Sequence, residues 1–588
     1  MPFSLRGSAA ALLSSFVFGA YFSIVPKAEA QQEQNPQSQY YVGEGEVDLL
    51  RGVYLHSRDD ISIGVKGSPG ELVLTRYYGV RSRPGAFGST TGHSQDVAVY
   101  RERFVEPPNG PGQNSYRFYV MVGNTMELFE KLYGTSTITY LGTSAGTQRL
   151  TEAGATGPYT YTGPNGLTIN FDALTGCPNI GFPSVNCGVA NTLTKPSGEA
   201  VTFHYDTLSS GPRLRLVKNN FGYALGFDYR SATSRDVLKI CSVNLADNYV
   251  TTTTPCPVGA RAAQYVWPAS GAITGVTDPA GLTTTYTYST GLASIKSPAS
   301  ASADITISYH PSSYKVTSLT YANGAAWTYA YQTQTLPWDV APSNAWTEVT
   351  TPLSNMTLHT LAGPKPFSIQ NPLGQTRSFQ YVSIKSLLQR VTEPEGNYTH
   401  YTYGVRDNVT ETRIVAKSGS GLSDIVSTAA YPATCTNYKT CDKPTSVTDA
   451  RGNTTDYTYD TAHGGVLTET GPAVGGIRPQ KRYTYTQRYA WIKNSGGTYV
   501  QAPTPVWLLT AEEYCKTTAA SGSGCAGGAS DEVVTAYDYG PNSGPNNLTL
   551  RGVVVDSGGL NLRTCFGYDS VGNRISQTEP NAGLTSCP

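Results

Sequence analysis

Charge, histidine and methionine are all scarce in this sequence. Only 14% of its 588 residues are Asp, Glu, Lys or Arg, against roughly 25% in soluble domains, which excludes a coiled coil and a charged disordered chain. The 42 basic and 42 acidic residues cancel, so no net field draws the chain to nucleic acid or to anionic lipid. The histidines (His56, His93, His204, His310, His359, His400 and His463) are scattered, and no cysteine pair has Cys-x-x-Cys spacing. No metal site and no cofactor is expected from such a set. A phosphate-cradling Gly-rich loop with Lys and a His-Glu-x-x-His helix are both missing. Beyond the first thirty residues no run is apolar enough to span a bilayer, and no segment has the periodicity of a helix longer than about three turns.

Present instead are 61 Gly, 37 Pro, 41 Tyr and 16 Phe, the composition of turns and aromatic strands. The chain opens with Arg6, an apolar stretch from Ala9 to Val25 and the small-x-small site Ala28-Glu29-Ala30, the pattern of a secretory signal peptide. Export would take the protein to an oxidising space. The ten cysteines suit that space, falling into five successive couples: Cys177 and Cys187, Cys241 and Cys256, Cys435 and Cys441, Cys515 and Cys525, Cys565 and Cys587. Nearest-neighbour disulfides are the expectation, although sequence alone does not fix connectivity.

Repeats dominate the rest. Val276-Thr-Asp-Pro-Ala-Gly281 runs on to Tyr286 and Tyr288, Val391-Thr-Glu-Pro-Glu-Gly396 to Tyr401 and Tyr403, and Val447-Thr-Asp-Ala-Arg-Gly452 to Tyr457 and Tyr459. Gly198, Gly222, Gly324 and Gly374 keep the frame, each followed five and seven residues later by aromatics. Asp, Pro and Gly at the first, second and fourth positions of Asp278-Pro279-Ala280-Gly281 are type I turn preferences. The alternation after it puts both tyrosines on one face of a strand and threonines on the other. The unit is therefore a β-hairpin, and a second half-motif, Tyr568-Asp569 with Gly572-Asn573-Arg574, follows the strand.

Those copies, together with Tyr568-Asp569-x-x-Gly572-Asn573-Arg574 and Thr578-Glu579-Pro580, resemble the RHS/YD-repeat family of bacterial secreted and cell-surface proteins, over roughly residues 190 to 588. Val47-Asp-Leu-Leu-Arg-Gly52 through Leu72-Val-Leu-Thr-Arg-Tyr-Tyr78 resembles the region that precedes the repeats in many members. The resemblance implies an all-β fold in which hairpins form a long twisted, spiralling sheet, a shell or ribbon rigidified by cross-strand aromatic pairs. Shell-forming members end in a Pro-x4-Asp-Pro-x-Gly-Leu core motif and a toxin domain. Asp278-Pro279-Ala280-Gly281-Leu282 matches that motif only in part and reads as an ordinary repeat turn. The chain is thus expected to be an N-terminal or partial member without core motif or toxin domain.

The expected organisation is a signal peptide (1–30), a Gln-rich leader (31–46), an N-terminal β region (47–175) and hairpin repeats with Cys-stapled insertions (176–588). Enzyme signatures are poor. Gly142-Thr-Ser144-Ala-Gly146 matches a nucleophile pattern, but the glycine-broken stretch after it cannot supply the helix that the chemistry needs. His56 beside Asp59 and Asp60 reads as a solvated polar turn. Tyrosine faces and the tryptophans at 267, 327, 338, 346, 491 and 507 suit stacking on sugars or peptides, although sheet core is the commoner role. The expected function is an exported, non-enzymatic scaffold at the envelope or outside the cell, in adhesion, intercellular competition or carbohydrate contact. Its partner would be carbohydrate or another cell-surface protein. The alternative is the N-terminal shell portion of a polymorphic toxin whose catalytic domain is encoded downstream.

Overall fold

The computed structural model describes residues 42–43, 45–79, 91–104, 115–141, 148–176, 186–209, 211–268, 271–332, 345–361, 365–382, 387–522 and 524–587. The signal segment, Cys177, the Gly142 to Gly146 motif and Trp338 lie outside them. The fold is all β. Among the described residues 37 strands join one antiparallel sheet, and helical turns are limited to three short 3-10 segments. From strand Arg149–Glu152 to strand Arg574–Gln577 each ladder strand pairs with the next, leaving aside excursions such as the hairpin Trp491–Lys493 with Tyr499–Gln501. Strand Asn186–Thr194 also pairs with Val97–Phe104, which leads into a meander through Ser115–Val122 and Thr125–Lys131.

The ribbon has two kinds of edge, and each follows from local chemistry. On the turn edge, Asp278 takes a hydrogen bond to its carbonyl from Gly281 N at 2.9 Å and donates its own N–H to Leu282 O at 2.9 Å. Its carboxylate accepts from Ala280 N and Leu282 N at 2.9 and 3.0 Å. Asn371 and Asp449 repeat the arrangement. This is a type I turn closed by a left-handed residue, which a two-strand reversal of this length requires. All eight motif glycines, Gly198, Gly222, Gly281, Gly324, Gly374, Gly396, Gly452 and Gly572, have φ between 78° and 94°. Gly572, however, belongs to the opposite edge, in the loop that follows Tyr568.

That opposite edge carries a β-bulge before the second aromatic. The register shifts between Thr287 and Tyr288, Ser308 and Tyr309, Gln380 and Tyr381, Thr402 and Tyr403, Thr458 and Tyr459, and Gly567 and Tyr568. The first aromatic of the pair, at Tyr286, Tyr329, Phe379, Tyr401 and Tyr457, is buried. Tyr457 and Tyr459 share a face with ring centroids 6.5 Å apart, while threonines hydrogen-bond across strands on the other face, Thr448 to Thr454 and Thr458 to Thr468. Cross-strand aromatic pairs stand in the N-terminal strands, Phe118 opposite Phe129 and Tyr159 opposite Phe171, whereas at the bulges of the repeats the pairs are aromatic–aliphatic. Tyr288, Tyr309, Tyr381, Tyr403 and Tyr459 face Leu292, Val316, Leu388, Val409 and Val466, because the strand that returns from the bulge begins with a branched residue.

The ribbon also returns alongside itself. Turn-edge loops of early hairpins meet bulge-edge loops far later in the sequence: Asn220 Nδ2 donates to Thr504 Oγ1 at 3.0 Å, Trp507 N to Ser197 O at 2.8 Å, Lys493 N to Leu245 O at 2.8 Å and Asn244 Nδ2 to Asn546 Oδ1 at 2.9 Å. Four cysteine couples close as neighbours, Cys241–Cys256, Cys435–Cys441, Cys515–Cys525 and Cys565–Cys587.

At Gly452 an added Cβ meets nothing within 4 Å, whereas at Gly572 it would lie 2.6 Å from the carbonyl carbon of Gly64. Gly452→Ala is expected to lose about 1–2 kcal/mol from the left-handed backbone alone. Gly572→Ala is expected to lose a further 1–3 kcal/mol or so from the collision. Urea midpoints of the two variants check this, and equal losses would refute the close approach.

Candidate functional site

The residues whose chemistry is least like a plain repeat lie in the segment 45–79, a strap that crosses the ribbon from one edge to the other. It contributes strands Val47–Asp48, Val53–Tyr54, His56–Ile63 and Leu72–Tyr78. Gly52 O accepts from Val316 N at 2.8 Å and Leu49 O from Thr347 Oγ1 at 2.6 Å. Arg261 Nη1 donates to Ser62 O at 2.8 Å, and Asn219 Nδ2 to Gly70 O at 2.6 Å. At the strap's tip Gly64 N donates to Val571 O at 2.8 Å. The tip therefore sits where the turn at Asn219–Gly222 and the last repeat loop come together.

At its centre the strap carries a buried ion pair. Arg76 Nε and Nη2 donate to the two oxygens of Asp60 at 2.9 and 3.2 Å, and Arg76 Nη2 also donates to the Tyr286 hydroxyl at 2.8 Å. Tyr265 donates its hydroxyl to Asp60 at 3.0 Å. Both charged residues are buried, and the Arg76 guanidinium lies 4.9 Å from the Tyr286 ring centroid. One turn of chain further on, Leu292 N donates to Tyr78 Oη at 2.6 Å while Tyr309 donates to Leu292 O at 2.9 Å. Burial, and then the neighbouring Asp60 carboxylate, hold the Tyr265 phenol well above its usual range. Both carboxylate oxygens are engaged, Oδ1 by Arg76 and Oδ2 by Arg76 and Tyr265. The cluster acts as a lock.

A second charged group sits near the strap's start. Asp48 is buried against Arg51 at 3.0 Å and accepts from Leu50 N at 3.1 Å. Burial raises its carboxyl above the usual value even though Arg51 opposes the shift. Burial also lowers the Lys315 ammonium, which lies 4.8 Å from the Tyr331 ring centroid.

The reading of His56, Asp59 and Asp60 as a solvated turn is corrected here. They form a strand, and the register shift between Asp59 and Ile61 leaves Asp60 as the bulged residue, turned inward onto Arg76. The repeat tyrosines stand in the hairpins. Tyr403, Tyr459 and Tyr568 donate their hydroxyls to Leu388 O, Pro444 O and Leu550 O, and Tyr286 alone of the repeat tyrosines named above joins the strap's ion pair. Sequence reading missed the cations packed on the second aromatic. Arg213, Lys315, Lys365 and Lys443 lie over Tyr229, Tyr331, Tyr381 and Tyr459, each sixteen residues upstream of its ring. Extending the repeat alignment upstream would have found them.

No family model and no curated protein matches the chain. Among solved structures it is similar to the crystal structure of TcdB2-TccC3-Cdc42, at 10% identity and a TM-score of 0.33 over 88% of this chain and 35% of that one. TcdB2-TccC3 without its hypervariable C-terminal region is similar at 10% identity and a TM-score of 0.31, over 92% and 36%. The Photorhabdus luminescens Tc holotoxin pore is similar at 11% identity and a TM-score of 0.31, over 90% and 35%. The chain spans about a third of the length of each. Likeness at this level carries no functional assignment. No helix among the described residues is long and apolar enough to cross a membrane.

Arg76→Met, which strands a buried carboxylate, is expected to cost about 3–5 kcal/mol, and adding Asp60→Leu to recover much of it. Denaturant unfolding of the single and double variants tests this, and an equally damaged double variant would sink the lock. A second expectation concerns acid. Burial pushes His359 down to about 4, so the native state prefers its neutral form. Its contribution is complete above the ordinary value near 6.5 and is lost as pH falls toward 4, on the order of 3 kcal/mol. His359→Gln is expected to flatten that stretch of the stability profile, and a parallel profile would contradict it.

Proposed function

We propose that the chain is an exported, non-enzymatic scaffold of the RHS/YD type, a wall of hairpins that works at the cell envelope or outside the cell. The observation that carries this reading is the seam. The ribbon's turn edge mates with loops 248 to 310 residues later in the sequence, and the strap fastens both sides. Such construction makes a curved wall whose faces and loops contact other surfaces, with carbohydrate or a cell-surface protein as partner. The closed cysteine couples suit an oxidising compartment.

A second reading, the wall portion of a toxin whose catalytic domain is encoded downstream, is favoured by one specific feature. Phe221, third residue of its turn and covered where Gly70 of the strap lies against its ring, is 9% exposed, while Leu353 and Leu373 at the same turn position are 82% and 83% exposed. Apolar tips along a free edge suit a further covering ribbon. Negative-stain microscopy of the purified protein is expected to show a compact curved wall, and an extended flexible thread would overturn both readings. Co-expression with the neighbouring downstream reading frame separates them. Co-purification that Leu353→Asp with Leu373→Asp abolishes supports the toxin wall, and a chain that adheres to cells by itself, unaffected by those changes, supports the scaffold.

A further inference from the structure

The Cys435–Cys441 couple closes a loop of six residues' separation whose tip does not stay within its own hairpin. Tyr438, inside the loop, packs its ring beneath the Arg149 guanidinium at 3.6 Å. Lys439, beside it, approaches Gly166 so closely that a Cβ there would lie 2.9 Å from Lys439 Cγ and 3.1 Å from its Cα. Arg149 and Gly166 belong to the start of the ladder, more than 260 residues earlier in the sequence. The loop's shoulders are held independently of the disulfide, by Arg406 Nη2 donating to Pro432 O at 2.6 Å and to Cys441 O at 2.9 Å. Its tip is tied to its own side of the seam by Asn437 Nδ2, which donates to Thr461 O at 2.8 Å. Within the ring Lys439 N donates to Asn437 Oδ1 and Cys441 N to Asn437 O, while Lys439 Nζ donates to Ala462 O; closure of the short ring adds to these bonds in keeping Tyr438 and the Lys439 backbone against the early strands.

From this geometry we infer that the Cys435–Cys441 disulfide is a redox clasp on the seam, holding the late ribbon against strands Arg149–Glu152, Tyr159–Thr162 and Thr168–Phe171. A dithiol opens it. One thiolate attacks the half-buried Cys435 sulfur and expels the Cys441 thiolate; the second thiol of the reagent then displaces Cys435. The reagent leaves as its own disulfide, and the two cysteines take up two electrons and two protons. Cys441 is itself buried, which directs attack to Cys435. Once open, the tip gains the freedom of an unclosed segment, and the contacts of Tyr438 and Lys439 with the early strands weaken. The clasp follows from the seam contacts alone. Its biological use, loosening an exported wall that reaches a reducing compartment, rests on the reading proposed above.

The test uses the full chain and compares Cys435→Ser/Cys441→Ser with Cys515→Ser/Cys525→Ser, which opens a loop whose contacts stay among its neighbours. Backbone hydrogen exchange is followed in the peptides covering residues 149–152 and 159–171. The first variant is expected to raise exchange there about threefold or more, at positions far from the substituted cysteines in sequence, and the second to leave it unchanged. Tyr438→Ala, with every disulfide intact, is expected to reproduce part of the rise and serves if the serine variant fails to fold. Unchanged exchange in 149–171 for both the serine variant and Tyr438→Ala, or an equal rise in the Cys515/Cys525 variant, would overturn the clasp. Neither result bears on whether the chain is a scaffold or a toxin wall.

Discussion

A tyrosine hydroxyl that reaches back fifteen residues to a backbone carbonyl sets the width of the ribbon. Tyr229, Tyr381, Tyr403 and Tyr459 bind Leu214 O, Pro366 O, Leu388 O and Pro444 O at the same separation. The segment between donor and acceptor is one whole hairpin: a short strand, a five-residue turn and a strand that ends at the ring. The phenol closes the open end of a unit whose other end is closed by the turn. The bulge just before it makes the reach feasible, since an extra residue re-aims the side chain that follows. Tyr229, Tyr381 and Tyr459 add a cation packed on the ring, worth about 0.5–1 kcal/mol each at partly exposed sites. The separation is seventeen at Tyr309 and eighteen at Tyr568, where the turn is longer, so these clasped hairpins differ by no more than three residues and the two edges of the ribbon run at nearly constant spacing.

Nearly constant spacing is what lets a seam form. A sheet of many strands exposes unpaired backbone only at its first and last strands, but a ribbon this long also exposes two rows of loops. Where the ribbon comes back on itself, turn-edge loops with small or amide side chains at Ser197, Asn220 and Asn244 meet later loops through backbone and amide hydrogen bonds. Polar groups buried at such a junction must be paired, and Asn220 shows how. Its Nδ2 donates to Gly198 O and to Thr504 Oγ1, while its Oδ1 accepts from Ala200 N. One side chain thereby joins its own hairpin, the preceding one and the far side of the seam.

The repeating part of this design was legible because it is local. A glycine at a left-handed position, an Asp or Asn that caps its own turn and two aromatics in a strand are demands that each copy meets within about twelve residues, so they recur in the sequence as a frame. The long-range part was not legible. Asp60 looks like a polar surface residue beside Asp59 until the strand's register is known, because the bulge alone decides which of the two turns inward. Neither residue gives a local sign that Asp60 meets Tyr265 and Arg76 meets Tyr286, each about two hundred residues away. The cations on the second aromatics fall between these extremes, in register with the repeats but upstream of the window that the turn defines.

The strap's buried charge also answers a problem that repetition creates. A repeat array offers any apolar segment a row of similar docking grooves, one hairpin apart, and burial of Ile61, Ile63, Leu72 and Leu74 would be nearly as favourable in the neighbouring groove. The Arg76–Asp60 pair removes that degeneracy. Both groups lose their water on docking, a cost of several kcal/mol per ion that is offset only where every hydrogen bond is made. The Tyr286 hydroxyl occupies the repeat frame, whereas Tyr265, which gives Asp60 Oδ2 a second hydrogen bond beside that from Arg76 Nε, stands on strand Ala262–Val266, outside the frame. A slip of one hairpin would keep the apolar contacts and strand the carboxylate, so the strap has one register. That register in turn carries Gly64 to Val571 and closes the seam at the correct repeat.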